Sequence, residues 1–195
     1  MSYNYNLSFI QRAKSKDETR FNLCSVFRDT DTVVATDGHR LHFHNVETIE
    51  TPFFIESIGC SDIKTYPDYK RVLPTTSPQA SYSLIVNRDT TKLLKLALPL
   101  CKHFDRSMPC LFSFGKDGII LSNIPKSKVQ FMITLPCEHV AGIETSLVCQ
   151  LNLQYFIDGL LDGIAIIDLW DNCNPIVIKN NCGNALIMPM KIETK

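Results

Sequence analysis

Three stretches of this 195-residue chain share one rhythm, a helical pattern followed by strand patterns, and that recurrence points to a repeated supersecondary unit. In the first, "NLSFIQRAKSK" (6–16) sets Leu7, Ile10 and Ala13 at helical spacing, and "RFNLCSVF" and "TVVATDGHRLHFH" then alternate as strands. In the second, "NRDTTKLLKLALPLCKHF" (87–104) offers Asn87 or Asp89 as an N-cap, with apolar residues at 93, 94, 97, 98 and 101. Strands "CLFSF", "GIILSNI" and "KVQFMITL" follow, the first two joined by the turn "GKDG". In the third, "NLQYFIDGLLDG" (152–163) predicts a helix with Asn152 near its cap, and "IAIIDLWD", "NPIVIKN" and "NALIMPMKI" predict strands. Between the first two units, residues 51–79 hold a strand-like "FFIES" but no helical pattern. The run "PTTSP" (74–78) is the natural linker, so the chain divides into 1–74, one unit plus a connector, and 75–195, two units. The expected class is α+β, built from repeated helix-plus-antiparallel-strand units.

With 45% apolar residues the chain can bury a proper core. Lys plus Arg equals Asp plus Glu at 20 each, so any basic surface has to come from local segregation of charge. The eight cysteines include no C-x-x-C pair and the N-terminus lacks an apolar signal core, which reads as reduced, mostly buried thiols in a cytoplasmic protein rather than a disulfide or zinc framework. No apolar run reaches the roughly 20 residues of a membrane span.

"TVVATDGHRLHFH" is the stretch that most invites chemistry. Asp37-Gly38 between alternating flanks signals a two-residue hairpin, whose simplest register sets Thr36 opposite His39, Ala35 opposite Arg40 and Val34 opposite Leu41. His42 and His44 then share a strand face, but a metal site would need two further ligands that nothing specifies, and hydrogen-bonded or solvent-facing strand histidines are the simpler reading. A hydrolase would pair Asp37 and His39 with a nucleophile, yet the chain has no G-x-S-x-G elbow, P-loop or dinucleotide glycine pattern. Asp29 with Asp31, and Asp168 with Asp171, read as turn residues and strand ends. Neither catalysis nor a cofactor is expected.

Six pieces in order, "RFNL" (20–23), "ATDGHRL" (35–41), "YPDYKRVLP" (66–74), "NLQYFIDGLL" (152–161), "NPIVI" (174–178) and "ALIMPMKI" (185–192), resemble the bacterial DNA sliding clamp, the β subunit of DNA polymerase III. The resemblance is weakest over 46–62 and 100–148. It implies that the first unit corresponds to the front half of the family's middle domain and residues 75–195 to its C-terminal domain. The N-terminal domain and one helix of the middle domain then have no counterpart, so a closed ring would need four copies rather than two, and lone sheet edges would favour such pairing.

The resemblance also implies a pocket for a short linear peptide with a Leu and a Phe near its end, supplied by a polymerase, a clamp loader or a repair protein. Its residues would be Leu23, Thr36, Gly38, His39, Arg40 and Leu41, then Pro67, Arg71 and Val72, with Asn152, Tyr155, Pro175, Leu186, Ile187, Met188, Pro189 and Met190. The aliphatic and methionine side chains suit apolar peptide anchors, while His39, Arg40 and Arg71 could bind peptide carbonyls or an acidic residue. Pro189 cannot donate to a sheet ladder, which places "IMPM" at an edge.

Clamps hold duplex DNA loosely, by Lys and Arg on inner helices and without sequence readout. Here Arg12 and Lys16 would share a face of the first helix with Ser8, with Lys14 and Arg20 near it. On the second helix Lys92, Lys95, Lys102 and Arg106 follow helical spacing, with Pro99 on the same stripe, where a proline would kink or end the helix. Gln154, Asp158 and Asp162 would occupy that face of the third helix, and the two carboxylates would repel a phosphate backbone. A homo-oligomeric, non-catalytic clamp that tethers partners to duplex DNA is the first expectation. The alternative is a regulatory module that occupies the clamp-binding peptides of polymerase or loader and competes with a full clamp, without a ring or DNA.

Overall fold

The computed structural model describes residues 6–55, 65–73, 80, 82–104, 108–115, 118–123, 130–142, 146–161 and 163–191. Its helices are α1 (Leu7–Gln11), α2 (Arg88–Phe104) and α3 (Leu153–Leu160). The strands are β1 (Val26–Arg28), β2 (Thr32–Thr36), β3 (Arg40–Asn45), β4 (Phe53–Ile55), β5 (Tyr82–Val86), β6 (Pro109–Gly115) and β7 (Gly118–Asn123). They continue with β8 (Met132–Leu135), β9 (Glu138–Gly142), β10 (Leu147–Asn152), β11 (Ala165–Leu169), β12 (Ile176–Asn180) and β13 (Gly183–Ile187). Two compact units result, Met1–Ser77 with Cys182–Leu186, and Pro78–Asn181 with Ile187–Lys195. The sequence pattern keeps 75–195 together, whereas most of β13 belongs with the first unit.

In that first unit the strand order is β4-β1-β2-β3-β13. Gly183 explains why the last strand can lie there: it takes φ +138°, and a Cβ on it would come within 2.6 Å of the Phe43 carbonyl, so only glycine allows this approach. Helix α1 packs on β2 and β3 and buries Phe9, Ile10 and the following Ala13 completely. Burial of a side chain the size of Phe9 contributes on the order of 2–3 kcal/mol. Asn6 caps α1 by accepting from Phe9 N at 3.1 Å. The helix stops after five residues because the next turns tighten to i→i+3 bonds, Arg12 N to Phe9 O and Ala13 N to Ile10 O, and Ser15 N then bonds Leu23 O. "RFNL", read as the start of a strand, forms a 3-10 turn over Phe21–Leu23.

The second unit holds strands in the order β12-β11-β5-β9 and a separate four-stranded antiparallel sheet, β10-β6-β7-β8. Helices α2 and α3 pack side by side over a core that includes Leu84, Leu94, Phe112, Phe114, Leu151 and Phe156. Asn87 caps α2, its Oδ1 accepting from Asp89 N and Thr90 N. The helix then runs through Pro99 to Phe104 without ending. Strand β10 feeds straight into α3, because Asn152 both closes the β6 ladder opposite Pro109 and caps the helix by accepting from Tyr155 N at 3.1 Å. α3 ends at Leu160 rather than 163, where Leu161 turns to φ +55°. Strands β5, β9 and β10 have no distinct signal in the alternation. The fold is α+β, as the periodicity implies.

Candidate functional site

The hairpin between β2 and β3 differs from its expected register. Thr36 lies opposite Leu41 and Ala35 opposite His42, so four residues, Asp37 to Arg40 at the start of β3, form the loop beyond the last facing pair. A type I′ turn needs positive φ at both Asp37 and Gly38, but among the described residues of this loop only Gly38 takes it, at +93°. Side chains close the loop instead. Asp37 Oδ1 accepts from His39 N at 2.9 Å and Arg40 N at 3.1 Å, and Thr36 Oγ1 accepts from Gly38 N while donating to Arg40 O at 2.6 Å.

These bonds decide which of the proposed peptide-contacting residues are available to meet a ligand. Arg40, expected to face a peptide, is only 7% exposed: its Nε pairs with Asp37 Oδ2 at 3.1 Å and its guanidinium also donates to the Arg12 carbonyl. Leu23, Thr36 and Leu41 are buried too, so they support the surface rather than form it. Gly38 and His39 are exposed. His42 is buried, stacked on Phe9 at 4.5 Å, and its Nδ1 bonds the Phe9 carbonyl at 2.8 Å as a donor, which makes it a core histidine. Among the described residues no group of three or more His, Cys, Asp or Glu is placed to hold a metal ion.

The connector folds back onto the same unit. Tyr66 stacks on Phe27 at 4.8 Å, Phe54 closes the cluster, and Tyr69 is buried at the start of a 3-10 turn, Tyr69–Val72. Asp29, which reads in sequence as a plain turn residue, accepts the Tyr69 hydroxyl at 2.8 Å and pairs with Lys70 Nζ at 3.0 Å. Burial alone would raise the pKa of Asp29; the bonds from Lys70, Thr30 and Tyr69 outweigh that and hold it below the ordinary carboxylate range. Burial and the Asp29 bond push the Tyr69 phenol up. The turn leaves Pro67, Arg71 and Val72 outward, Val72 being 43% exposed, while Arg71 pairs with Asp68 at 2.8 Å.

On the second unit, Ile187 is buried, as is Leu186 at the end of the first unit's part of β13. β13 stops before Met188, which is 37% exposed, and Pro189 stands outside every ladder, as its missing N–H requires. Met190 rejoins the unit by one bridge, its N donating to Gln150 O at 2.8 Å. Asn152, Tyr155 and Pro175 are half-buried. Asp171, near Pro175, is a turn residue: backbone donors from Asn174 and Cys173 hold its pKa low.

The basic residues separate into two groups. Because α1 ends at Gln11, Arg12, Lys14 and Lys16 do not share a helical face with Ser8. Arg20 lies along the hairpin loop, donating to Asp37 O at 3.0 Å. On α2, Lys92, Lys95 and Lys102 are exposed at helical spacing, with Lys92 paired to Asp89 at 2.9 Å; Arg106 falls outside the described residues. Beside this stripe Leu96 and Leu100 are 72% and 49% exposed. On α3, Gln154 donates to Asp158 at 2.9 Å, and Asp162 falls outside the described residues.

The fold that carries these surfaces is that of a DNA sliding clamp. The chain is similar to the DNA polymerase III β subunit of Thermotoga maritima, with a TM-score of 0.73 at 17% identity over 95% of this chain and 63% of that one. It is also similar to the Pseudomonas aeruginosa sliding clamp solved with ligand (TM-score 0.73, 16% identity, 95% of this chain and 63% of that one). A third likeness is to the Borrelia burgdorferi β subunit in complex with a natural product (TM-score 0.71, 20% identity, 98% and 66%). The chain thus spans about 63% of the length of the first two structures. No protein-family model and no curated protein matches it. No described helix is long and apolar enough to cross a membrane.

Proposed function

We propose that this chain is a shortened, non-catalytic clamp that tethers partner proteins to duplex DNA. The observation that carries the reading is the sliding-clamp fold over 95% of the chain. Partners bind through short peptides with a Leu and a Phe near the end, such as a polymerase, a clamp loader or a repair protein would supply. The candidate contacts are His39, Pro67, Arg71 and Val72 on the first unit and, taken by themselves, Tyr155, Pro175, Met188, Pro189 and Met190 on the second. Exposed aliphatic and thioether groups in this set favour an apolar peptide anchor over a charged one.

The DNA contact is electrostatic and rests on α2, where Lys92, Lys95 and Lys102 stand in solvent. Four copies would make a closed ring in the cytoplasm. Solution mass tests this: a closed oligomer whose DNA affinity falls with salt supports the clamp, and a monomer indifferent to DNA defeats it. Replacing Met188 and Met190 by Ala should abolish binding of a synthetic peptide bearing the Leu and Phe; unchanged affinity would remove the peptide site.

A second reading is favoured by one observation, that Arg12 and Arg20 are placed outside any helical basic face. With a helical basic face on α2 alone among the described residues, the chain would serve as a regulatory module that occupies clamp-binding peptides and competes with a full-length clamp. Peptide affinity without DNA affinity would distinguish it.

A further inference from the structure

The Asp29 carboxylate is not part of the peptide-facing set, yet it joins the β1–β2 turn to the connector. Its own turn is fixed from several sides. Asp29 N bonds Thr32 O at 2.8 Å to close the β1–β2 hairpin, and the carbonyls of Thr30 and Asp31 accept from Ile49 N at 2.7 Å and Val46 N at 2.9 Å. The Arg28 guanidinium donates to the carbonyls of Asp29 and Glu47. Asp29 Oδ1 is taken by Thr30 N at 2.8 Å, so Oδ2 is left to face the connector, where it meets Tyr69 Oη at 2.8 Å and Lys70 Nζ at 3.0 Å.

The next two residues of that connector are Arg71 and Val72, whose side chains turn outward from the 3-10 turn that begins at Tyr69. A turn of four residues is too short to hold itself, since each of its bonds fixes several dihedrals. Tyr66 stacks on Phe27 and meets the Tyr69 ring edge-on at 6.3 Å, contacts that lack the directionality of a hydrogen bond. The bonds from Tyr69 and Lys70 to one carboxylate supply that directionality.

We infer that Asp29 is a positioning residue for peptide recognition: by holding Tyr69 and Lys70 it sets the orientation of the Tyr69–Val72 turn and so presents Val72 and Arg71 to the partner's peptide. The inference rests on the peptide-binding reading above and adds the element that makes that surface preorganised rather than adaptable. An anchored Val72 loses less conformational freedom on binding, so releasing the anchor costs affinity even though Asp29 touches no ligand.

The test uses the full chain and a fluorescent synthetic peptide with a Leu and a Phe near its end. Asp29→Ala should weaken binding about tenfold, the scale of one charge-assisted bond. Asp29→Asn, which keeps an acceptor for Tyr69, should restore most of it. Val72→Ala should weaken binding in the wild-type background and have little further effect beside Asp29→Ala, a non-additivity that general destabilisation would not produce. If Val72→Ala weakens binding and Asp29→Ala does not, or if the two losses simply add, the positioning role is overturned while the peptide site stands. If Val72→Ala and Met188→Ala both leave affinity unchanged, the peptide site itself falls and the inference with it. Should Asp29→Ala fail to fold, Tyr69→Phe removes only the hydroxyl, and a loss of affinity measured well below the variant's own thermal midpoint supports the same role; unchanged affinity overturns it.

Discussion

The first unit and helix α2 use ionic side chains in opposite ways. In the first unit Arg20, Arg28 and Arg40 all donate to backbone carbonyls, and Asp29 and Asp37 each gather several donors. On α2 the lysines point into solvent, and the ion pair of Lys92 with Asp89 joins groups that are 66% and 71% exposed. The same residue types therefore satisfy irregular backbone in one place and stay exposed to solvent in the other. Charge in the sequence marks a binding surface only where the backbone already satisfies its own hydrogen bonds, as a long helix does and a loop-rich unit does not.

Arg40→Ala is the strongest test of that contrast. It removes a buried guanidinium and takes the Arg40 donor away from Asp37 Oδ2 and from the Arg12 carbonyl, so it should cost about 3 kcal/mol in chemical denaturation. A loss below about 1 kcal/mol would mean the internal network is decorative. Replacing Lys92, Lys95 and Lys102 together by Ala should leave stability nearly unchanged while weakening duplex binding and flattening its salt dependence, by about one in the log–log slope for each phosphate no longer neutralised. An unaltered slope would remove α2 from the proposed DNA contact.

Smaller effects sharpen the comparison. Asn87→Ala, which leaves the first turn of α2 uncapped, should cost about 1 kcal/mol in thermal melts. Asp29 links pH to the stability of the first unit. Its folded pKa lies below its unfolded value of about 3.9, so its contribution is fully present above that value and is lost as pH falls through the folded pKa. The stability difference between wild type and Asp29→Asn should therefore be constant near neutrality and shrink on acidification below about pH 4. Lys92→Ala alone should change stability by less than about 0.5 kcal/mol, since exposed pairs are screened by water.

Much of the architecture was legible because periodicity survives without tertiary context. The apolar spacing of 93, 94, 97, 98 and 101 places α2 correctly, and Asn87 and Asn152 mark their helix starts by a local bond. β5 and β9 were not legible, since a strand's identity depends on the neighbour it pairs with: Leu84 acquires its face from His139 and Ile167. The candidate site was legible in part. Of the residues in that set, Gly38, His39, Val72 and Met188 are exposed, while Arg40, Leu41, Leu186 and Ile187 are buried. Nothing in "HRL" or "LIM" distinguishes a side chain that lines a surface from one that supports it.

By itself the sequence determined the unit rhythm, the caps, the break at Pro189 and the α+β class, all of which follow from local sterics and the hydrophobic period. Tertiary structure alone decided that α1 stops after five residues, that Asp37 rather than a primed turn shapes the hairpin, and that Asp29 reaches forty residues along the chain to Tyr69. Those outcomes depend on which backbone donors and acceptors remain unsatisfied once the sheets have paired, and that count exists only in the folded chain.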